Sequence, residues 1–281
     1  MWSLSTFIRK YSCSSPLKLS ISKFPSPKET SKIPFVFVHG LFGSKQNWRS
    51  LCLALARQSN VTVYALDLRN HGESPHSEHM DYSLMSQDIK NTVDQMELKT
   101  PFNLVGHSLG GKVVMRYATD NPQDVNHLVV VDIEPVSYKN ASLPFDDYLD
   151  IMAECENANY KKRSLVEDHI AKYIDNLEIR QFLMTNAIQF GDGTWKFRCN
   201  VPVLKKELPV LFGYEPGSLD YSGRITVVAG RKSHYVKNLH SFEKYFPNAE
   251  MSLIALNTGH WVHAERPQEF LEILSDISDT K

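Results

Sequence analysis

Three groups of residues in this chain have the types and spacing for acyl chemistry. The first is Gly106-His107-Ser108-Leu109-Gly110, a G-x-S-x-G pattern directly after one apolar run and directly before a helical one. A serine hydroxyl attacks a carbonyl only when it is exposed and a base can take its proton. A tight strand-to-helix turn exposes it, and glycine two residues away on either side avoids a clash. The helix start also aims free N–H groups at developing negative charge, which makes the Leu109 N–H a candidate oxyanion donor. The second group is "NTGHWVHAERPQEF", where His260 follows a glycine between the last strand pattern and the last helix. Imidazole titrates near neutral pH and suits general-base work. The chain has 11 histidines, so position decides, and only His263 competes nearby. The third group is "VVVDIEP": Asp132 ends an apolar run, and Glu134 would share its side by strand alternation. A carboxylate is needed to hold the imidazolium formed during catalysis. Asp132 is closest to the buried strand and can be desolvated, whereas Glu134 enters the following segment; Asp220 is a weaker third candidate.

The elements that must position these groups follow an α/β rhythm. "IPFVFVHG", "VTVYALDL", "FNLVGH" and "HLVVVDIEP" read as buried strands, and "LKLSISKF" as a weak edge strand. Helices are expected from Trp48 to Gln58, from Ser83 to Glu97 and from Leu109 to Ala118. The alternation implies a mostly parallel sheet with helices on both faces. After Pro135 the rhythm stops. "FDDYLDIMAECENA", "SLVEDHIAKYI" and "EIRQFLMTNAI" are helical and amphipathic, with no strand evident among them. Strands resume with "RITVVAG" and "AEMSLIAL", and a helix from Pro267 to Ile277 ends the pattern. The expected organisation is an α/β core over 23–136 and 209–281, with a helical cap over 137–208 inserted after the strand ending near Asp132. Tyr148, Ile151, Met152 and Phe182 are its candidate pocket residues, joined by Phe42 and His107 from the core; packing alone is an equal explanation for the cap residues.

Composition narrows the class. With 281 residues, 42% hydrophobic and 22% charged, the chain can bury one large core. A formal charge of -1 and dispersed Lys and Arg give no basic patch for nucleic acid. Four cysteines without CxxC spacing indicate neither a zinc site nor a disulfide framework, and a reducing compartment fits. No apolar stretch has the length of a membrane span. No G-x-G-x-x-G follows the first strand and no P-loop is present. His71, His76 and His79 in "DLRNHGESPHSEHM" have no Cys or carboxylate set to complete a metal site, so a solvated loop is expected there. Neither metal nor cofactor is expected.

The N-terminus differs in character. "MWSLSTFIRKYSCSSPLKLSISK" is Ser-rich, carries Arg9, Lys10, Lys18 and Lys23, and the first acid is Glu29. This is the composition of a mitochondrial transit peptide rather than a secretory signal, and residues 1–22 are assigned to such a leader. "RKYSCS" resembles an arginine-directed cleavage site of matrix presequences, with the cut after Tyr11.

Together, "HGLFGSKQNW", "DLRNHGES", "VGHSLGGKVVM" and "VVVDIEP" resemble the α/β-hydrolase family from about Ile33 to Ile277. Within it they are similar to a group of abhydrolase-domain proteins, YbfF-type esterases and yeast ethanol acetyltransferase-like mitochondrial proteins. "WKFRCNVPVL" resembles that group's segment leaving the cap. The resemblance implies the order serine, acid, histidine along the chain and a second oxyanion N–H from Leu41, after the His39-Gly40 pair. It implies that His39 holds that loop, and that Arg69 and Asn70 brace it. The usual acid position of the family, after the strand that follows the cap, is here "VVAGRKSHYVK", with Ser233 and His234 and no carboxylate before Glu243. The resemblance to the narrower group instead places the acid at Asp132. Members act as esterases, thioesterases or alcohol acyltransferases, and several are mitochondrial. The substrate implied is a small or medium acyl ester or thioester, with acyl-CoA plus an alcohol as the alternative. A catalytically silent scaffold on the same fold is the third possibility, against which the intact serine, histidine and oxyanion loop argue.

Overall fold

A computed structural model describes residues 15–96, 98, 100–214 and 220–279. Among the described residues nine strands form: β1 (Ile21–Phe24), β2 (Phe35–Val38), β3 (Val63–Leu66), β4 (Phe102–His107), β5 (Val125–Val131), β6 (Ala187–Gln189), β7 (Trp195–Phe197), β8 (Arg224–Gly230) and β9 (Glu250–Leu256). Seven of them make one sheet in the order β1-β3-β2-β4-β5-β8-β9, parallel throughout except for the antiparallel edge strand β1. Strand alternation divides the core in two. Val36, Val38, Leu104, Leu128 and Val130 face one side; Phe35, Phe37, Val105, Val129 and Val131 face the other. Each such side chain, fully buried, contributes about 1.5–3 kcal/mol.

Helices cover both faces, as a parallel sheet requires. On one lie α1 (Arg49–Ser59) and the C-terminal α10 (Pro267–Asp279), which pack on each other. On the other lie α2 (Tyr82–Gln95) and α3 (Leu109–Asp120). Asp81 starts α2 by accepting the Leu84 N–H at 2.8 Å, and Asn60 ends α1 at φ 51°. Because the strands are parallel, the chain leaves β4, β5, β8 and β9 at the same sheet edge. Ser108, Asp132, Ser233 and His260 all follow those exits.

Between β5 and β8 the chain forms α4 (Phe145–Asn157), α5 (Arg163–Ala171), α6 (Leu177–Met184) and α7 (Val201–Phe212). Two features depart from the sequence expectation. The helical run continues past residue 208 to Phe212. The segment also contains a hairpin, β6 paired with β7, with Gly193 at φ 80° and the Asp192 carboxylate accepting from the Thr194 N–H at 2.9 Å. Three-residue strands are too short to show alternation, so the pattern hid them. Two short helices, α8 (His240–Tyr245) and α9 (Val262–Glu265), complete the chain. Among the described residues, no helix is long and apolar enough to cross a membrane.

The leader assignment lies mostly outside the described residues, but its boundary at residue 22 needs correction. Backbone N–H groups of Leu17, Leu19 and Ser20 donate to Asp88, Thr92 and Ser74 at 2.7, 2.9 and 2.8 Å. Leu19 is buried, and β1 begins at Ile21. The fold therefore holds the chain from Leu17, and a cut after Tyr11 would spare these bonds.

Asp88 also anchors the loop after β3. Its carboxylate takes the Arg69 guanidinium on two sides, Nε at 2.6 Å and Nη2 at 2.7 Å, with both side chains unexposed. Such a pair is costly to break from one side, because the remaining charge stays buried. Arg69→Met is expected to lower unfolding free energy by about 3–5 kcal/mol in urea titrations. Adding Asp88→Leu is expected to recover part of that loss; a double variant no more stable than Arg69→Met would contradict the stranded-charge explanation.

Candidate active site

Ser108 joins β4 to α3 with φ 54° and ψ −119°, a conformation that side-chain-bearing residues rarely adopt. The glycines on either side are required by close approach. A Cβ on Gly106 would stand 2.4 Å from the Gly110 carbonyl oxygen, and one on Gly110 would stand 2.4 Å from that of His39. The Ser108 N–H donates to the Val131 carbonyl at 3.0 Å, tying the turn to the neighbouring strand. Its hydroxyl makes no cap bond to α3, although Ser108 is the N-cap residue. Leu109, as the first residue of α3, has no intrahelical acceptor for its N–H.

The Nδ1–H of His260 donates to Asp132 Oδ2 at 2.7 Å, which leaves Nε2 as the basic nitrogen. Asp132 is fully buried at φ 50°, just past β5. Its Oδ1 accepts from the Gly230 N–H at 3.0 Å, and its Oδ2 accepts from the Ser233 hydroxyl at 2.5 Å. Ser233 is thus the residue sequence reasoning undervalued. It lies in the loop where the family resemblance implied the usual acid position, and here its hydroxyl donates to Asp132, which follows the neighbouring strand. Glu134 points elsewhere and accepts the Lys237 N–H at 3.2 Å, while Asp220 is exposed. His263 lies against the Trp48 ring at 4.2 Å, and burial, with His260 nearby, pushes its pKa down to about 3. A base that weak cannot serve Ser108 near neutrality.

The loop after β2 is held by two more neutral imidazoles. His39 donates from Nδ1 to the Gly40 carbonyl at 2.8 Å and accepts the Leu68 N–H on Nε2 at 3.0 Å. His71 donates from Nδ1 to the Arg69 carbonyl at 3.0 Å and accepts the Phe42 N–H on Nε2 at 3.2 Å. Both accept on one ring nitrogen, so neither can protonate without losing a bond. Burial lowers both, His71 to about 3, with His39 as its next cause. The expectation of a solvated loop fails for His71, which is wholly buried. Nothing in "RNHGES" marks this, since its partners are backbone atoms.

The bracing assigned to Arg69 and Asn70 is also corrected. The Arg69 guanidinium bonds Asp88 and the His79 carbonyl, while Asn70 Oδ1 accepts from the Ser77 N–H and from Asn200. Asp67 does the bracing instead: it accepts the Lys45 N–H at 2.6 Å and pairs with the Lys45 ammonium at 2.6 Å. Asn186, from beyond α6, donates to the Phe42 carbonyl at 2.6 Å. Among the described residues no hydrogen bond takes up the Leu41 N–H.

Ser108 and His260 line one cavity of about 650 Å³, with Phe42, His107, Tyr148 and Phe182 also on its wall. His107 donates from Nε2 to the His260 carbonyl at 2.9 Å and so fixes the loop that carries the base. Burial, then the neighbouring His260 and His263, hold its pKa well below the usual value. Ile151 and Met152 do not reach the cavity and are corrected to core residues. Only the first turn of α4, Phe145 and Tyr148, borders the space. At 1.5 Å rise per residue, Met152 is about 10 Å beyond Phe145, and it is wholly buried in the core. Tyr235 and Trp261 were missed. The Tyr235 ring lies tilted against His260 with centroids 4.4 Å apart, and Trp261, adjacent to His260 in sequence, meets Phe182 at 5.5 Å.

A family described as alpha/beta hydrolase fold matches residues 33–267. The chain is 36% identical over 249 residues to a Mus musculus protein named sn-1-specific diacylglycerol lipase ABHD11, covering 86% of this chain and 80% of that one. It is 34% identical over 264 residues to a Saccharomyces cerevisiae protein named probable alcohol acetyltransferase, covering 87% and 76%. Among solved structures, a marine microorganism esterase superposes with TM-score 0.81 at 29% identity, covering 92% of this chain and 99% of that one.

The buried imidazoles make stability depend on pH. His71 and His263 are held near 3 when folded but take protons at about 6.5 when unfolded. Their depressed values favour the folded state above about pH 6.5, and that contribution is lost as pH falls from there toward 3. The urea midpoint is therefore expected to drop between pH 7 and pH 5. His263→Phe is expected to flatten the drop, since His263 Nδ1 has no hydrogen-bond partner to lose. An unchanged slope in that variant would contradict the assignment.

Proposed function

The chain belongs to the α/β-hydrolase family, and from that premise we propose that it is a serine hydrolase cleaving small or medium acyl esters or thioesters through an acyl-enzyme on Ser108. The observation that carries this reading is the strained, uncapped Ser108 sharing one cavity wall with His260, whose other ring nitrogen is bonded to the buried Asp132.

The Ser108 hydroxyl attacks the acyl carbonyl carbon while His260 Nε2 takes its proton. Asp132 fixes the ring orientation and stabilises the imidazolium. The carbonyl oxygen, now an anion, is held by the N–H groups of Leu41 and Leu109. His260 then gives its proton to the departing alcohol or thiol as the carbon–oxygen or carbon–sulfur bond breaks. Water, deprotonated by His260, attacks the acyl-enzyme and releases the acid with Ser108 restored. An alcohol entering in place of water gives an ester by the same steps. This second reading is favoured by the yeast relative named as a probable alcohol acetyltransferase. The insertion between β5 and β8 acts as a cap, placing Tyr148 and Phe182 opposite the core's loops to limit water at the acyl-enzyme.

The protein works in the mitochondrial matrix after loss of its first residues. The acid-free, basic, Ser-rich leader supports this, and the bond from Leu17 to Asp88 of α2, the first to α2 among the described residues, lies beyond a cut after Tyr11. Mass spectrometry of the protein isolated from its own cells is expected to find an N-terminus near Ser12; intact leader on a cytosolic protein would overturn it.

Ser108→Ala is expected to abolish labelling by a fluorophosphonate probe and to lower kcat by roughly 10³-fold or more, with the melting temperature nearly unchanged. Asp132→Asn is expected to cost roughly 10⁴-fold in turnover, and Glu134→Gln far less. Were the last two outcomes exchanged, Glu134 would be the acid.

A further inference from the structure

A second, much smaller cavity of about 40 Å³ meets the large one at the nucleophile; Leu41, Ser108, Phe145 and Tyr235 border both. Its remaining wall includes Leu109, Ile133, Tyr138, Leu143 and Phe212, and the stem of Lys112. The Lys112 amine is already engaged: it donates to the Val136 carbonyl at 2.7 Å and lies over the Tyr138 and Tyr214 rings at 4.4 and 5.0 Å. The space is thus bounded by apolar groups and a tied-off amine.

An acylated substrate has two arms at its carbonyl carbon, the acyl chain and the leaving group. With the oxygen held by Leu41 and Leu109, the arms must diverge into the two cavities. Chemistry assigns them. The leaving oxygen or sulfur must reach the proton on His260, and His260 borders the large cavity and not the small one. The acyl chain is left with the small cavity. One water needs roughly 10–15 Å³ by this measure, so the small cavity holds about three water-sized groups. We propose that the small cavity is the acyl site and the large one the leaving-group site, so that the preferred substrates carry an acyl chain of a few carbons on a bulky alcohol or thiol. This rests on the acyl-enzyme reading above and deepens it. Phe212 and Leu143 set the chain length, whereas Phe182 acts on the leaving group.

The test is kcat/KM of the full chain for acetyl, butyryl, octanoyl and palmitoyl thioesters of one bulky thiol, each repeated as esters of small and large alcohols. The wild-type protein is expected to favour acetyl or butyryl over octanoyl by at least about tenfold. Phe212→Ala is expected to move the preference toward octanoyl. Leu143→Ala, at a half-exposed position that folds readily, is expected to do the same should Phe212→Ala unfold. Phe182→Ala is expected to change the preference for alcohol size and leave the acyl profile alone. A wild-type preference for octanoyl or palmitoyl overturns the assignment, as does an acyl profile that responds to Phe182→Ala and not to either small-cavity variant. Fluorophosphonate labelling of Ser108 separates the two readings. Labelled protein with the wrong acyl profile condemns the cavity assignment alone, and unlabelled protein condemns the nucleophile with it.

Discussion

A carboxylate with no exposure to water must find its hydrogen-bond donors inside the protein, and the site is arranged around that demand at Asp132. Its donors come from the last residue of β8, from Ser233 in the loop that follows, and from His260 after β9. Asp132 itself follows β5, so with Ser108 after β4 the four groups and their donors draw on β4, β5, β8 and β9, which are neighbours in the sheet. A buried anion is stable only when its donors are in place, because stranding it costs several kcal/mol. The constraint runs in both directions. The sheet holds the donors to the carboxylate, and the carboxylate holds the base to one tautomer. Serine at position 233 suits an acid that follows the neighbouring strand, because its hydroxyl donates to Asp132. A second carboxylate there would put two anions beside one imidazole, whereas a hydroxyl can donate.

The same economy of charge governs the loop after β2. His39 and His71 each spend one nitrogen as donor and one as acceptor on backbone groups, and burial keeps them neutral. Phe42, at φ 61°, is fixed from below by His71 and from above by Asn186 of the inserted segment. Leu41, one residue earlier, lines the same cavity as Ser108 on a loop held at both of these points. Preorganised donors of this kind are effective because they need not reorient as charge develops. The insertion therefore does more than line the cavity: through Asn186 it also holds the loop after β2.

Much of this was legible in the sequence, and the limits have physical causes. The core strands are short apolar runs ended by Gly or polar loops, and the serine turn carries its own glycine signature. His260 stood out through its place between the last strand and helix. What was hidden depends on contacts distant in the chain. Ser233 reads as any loop serine until Asp132 is beside it. His71 reads as solvated because a backbone partner leaves no pattern. Arg69 was assigned to the wrong loop, since its partner Asp88 lies on a helix whose polar face looks ordinary. Ile151 and Met152 show the limit of helical periodicity, which identifies an apolar face but not how far along the helix a cavity extends.

The central claim is that every acyl donor passes through one intermediate on Ser108. It is tested most directly by partitioning: the same acyl group is supplied as a thioester and as an oxygen ester, with hydroxylamine competing with water, and the ratio of hydroxamate to free acid is measured. A shared acyl-enzyme forgets its leaving group, so the account predicts the same ratio from both donors. A ratio that changes with the leaving group would mean that the acceptor attacks before the leaving group departs, and would contradict the account.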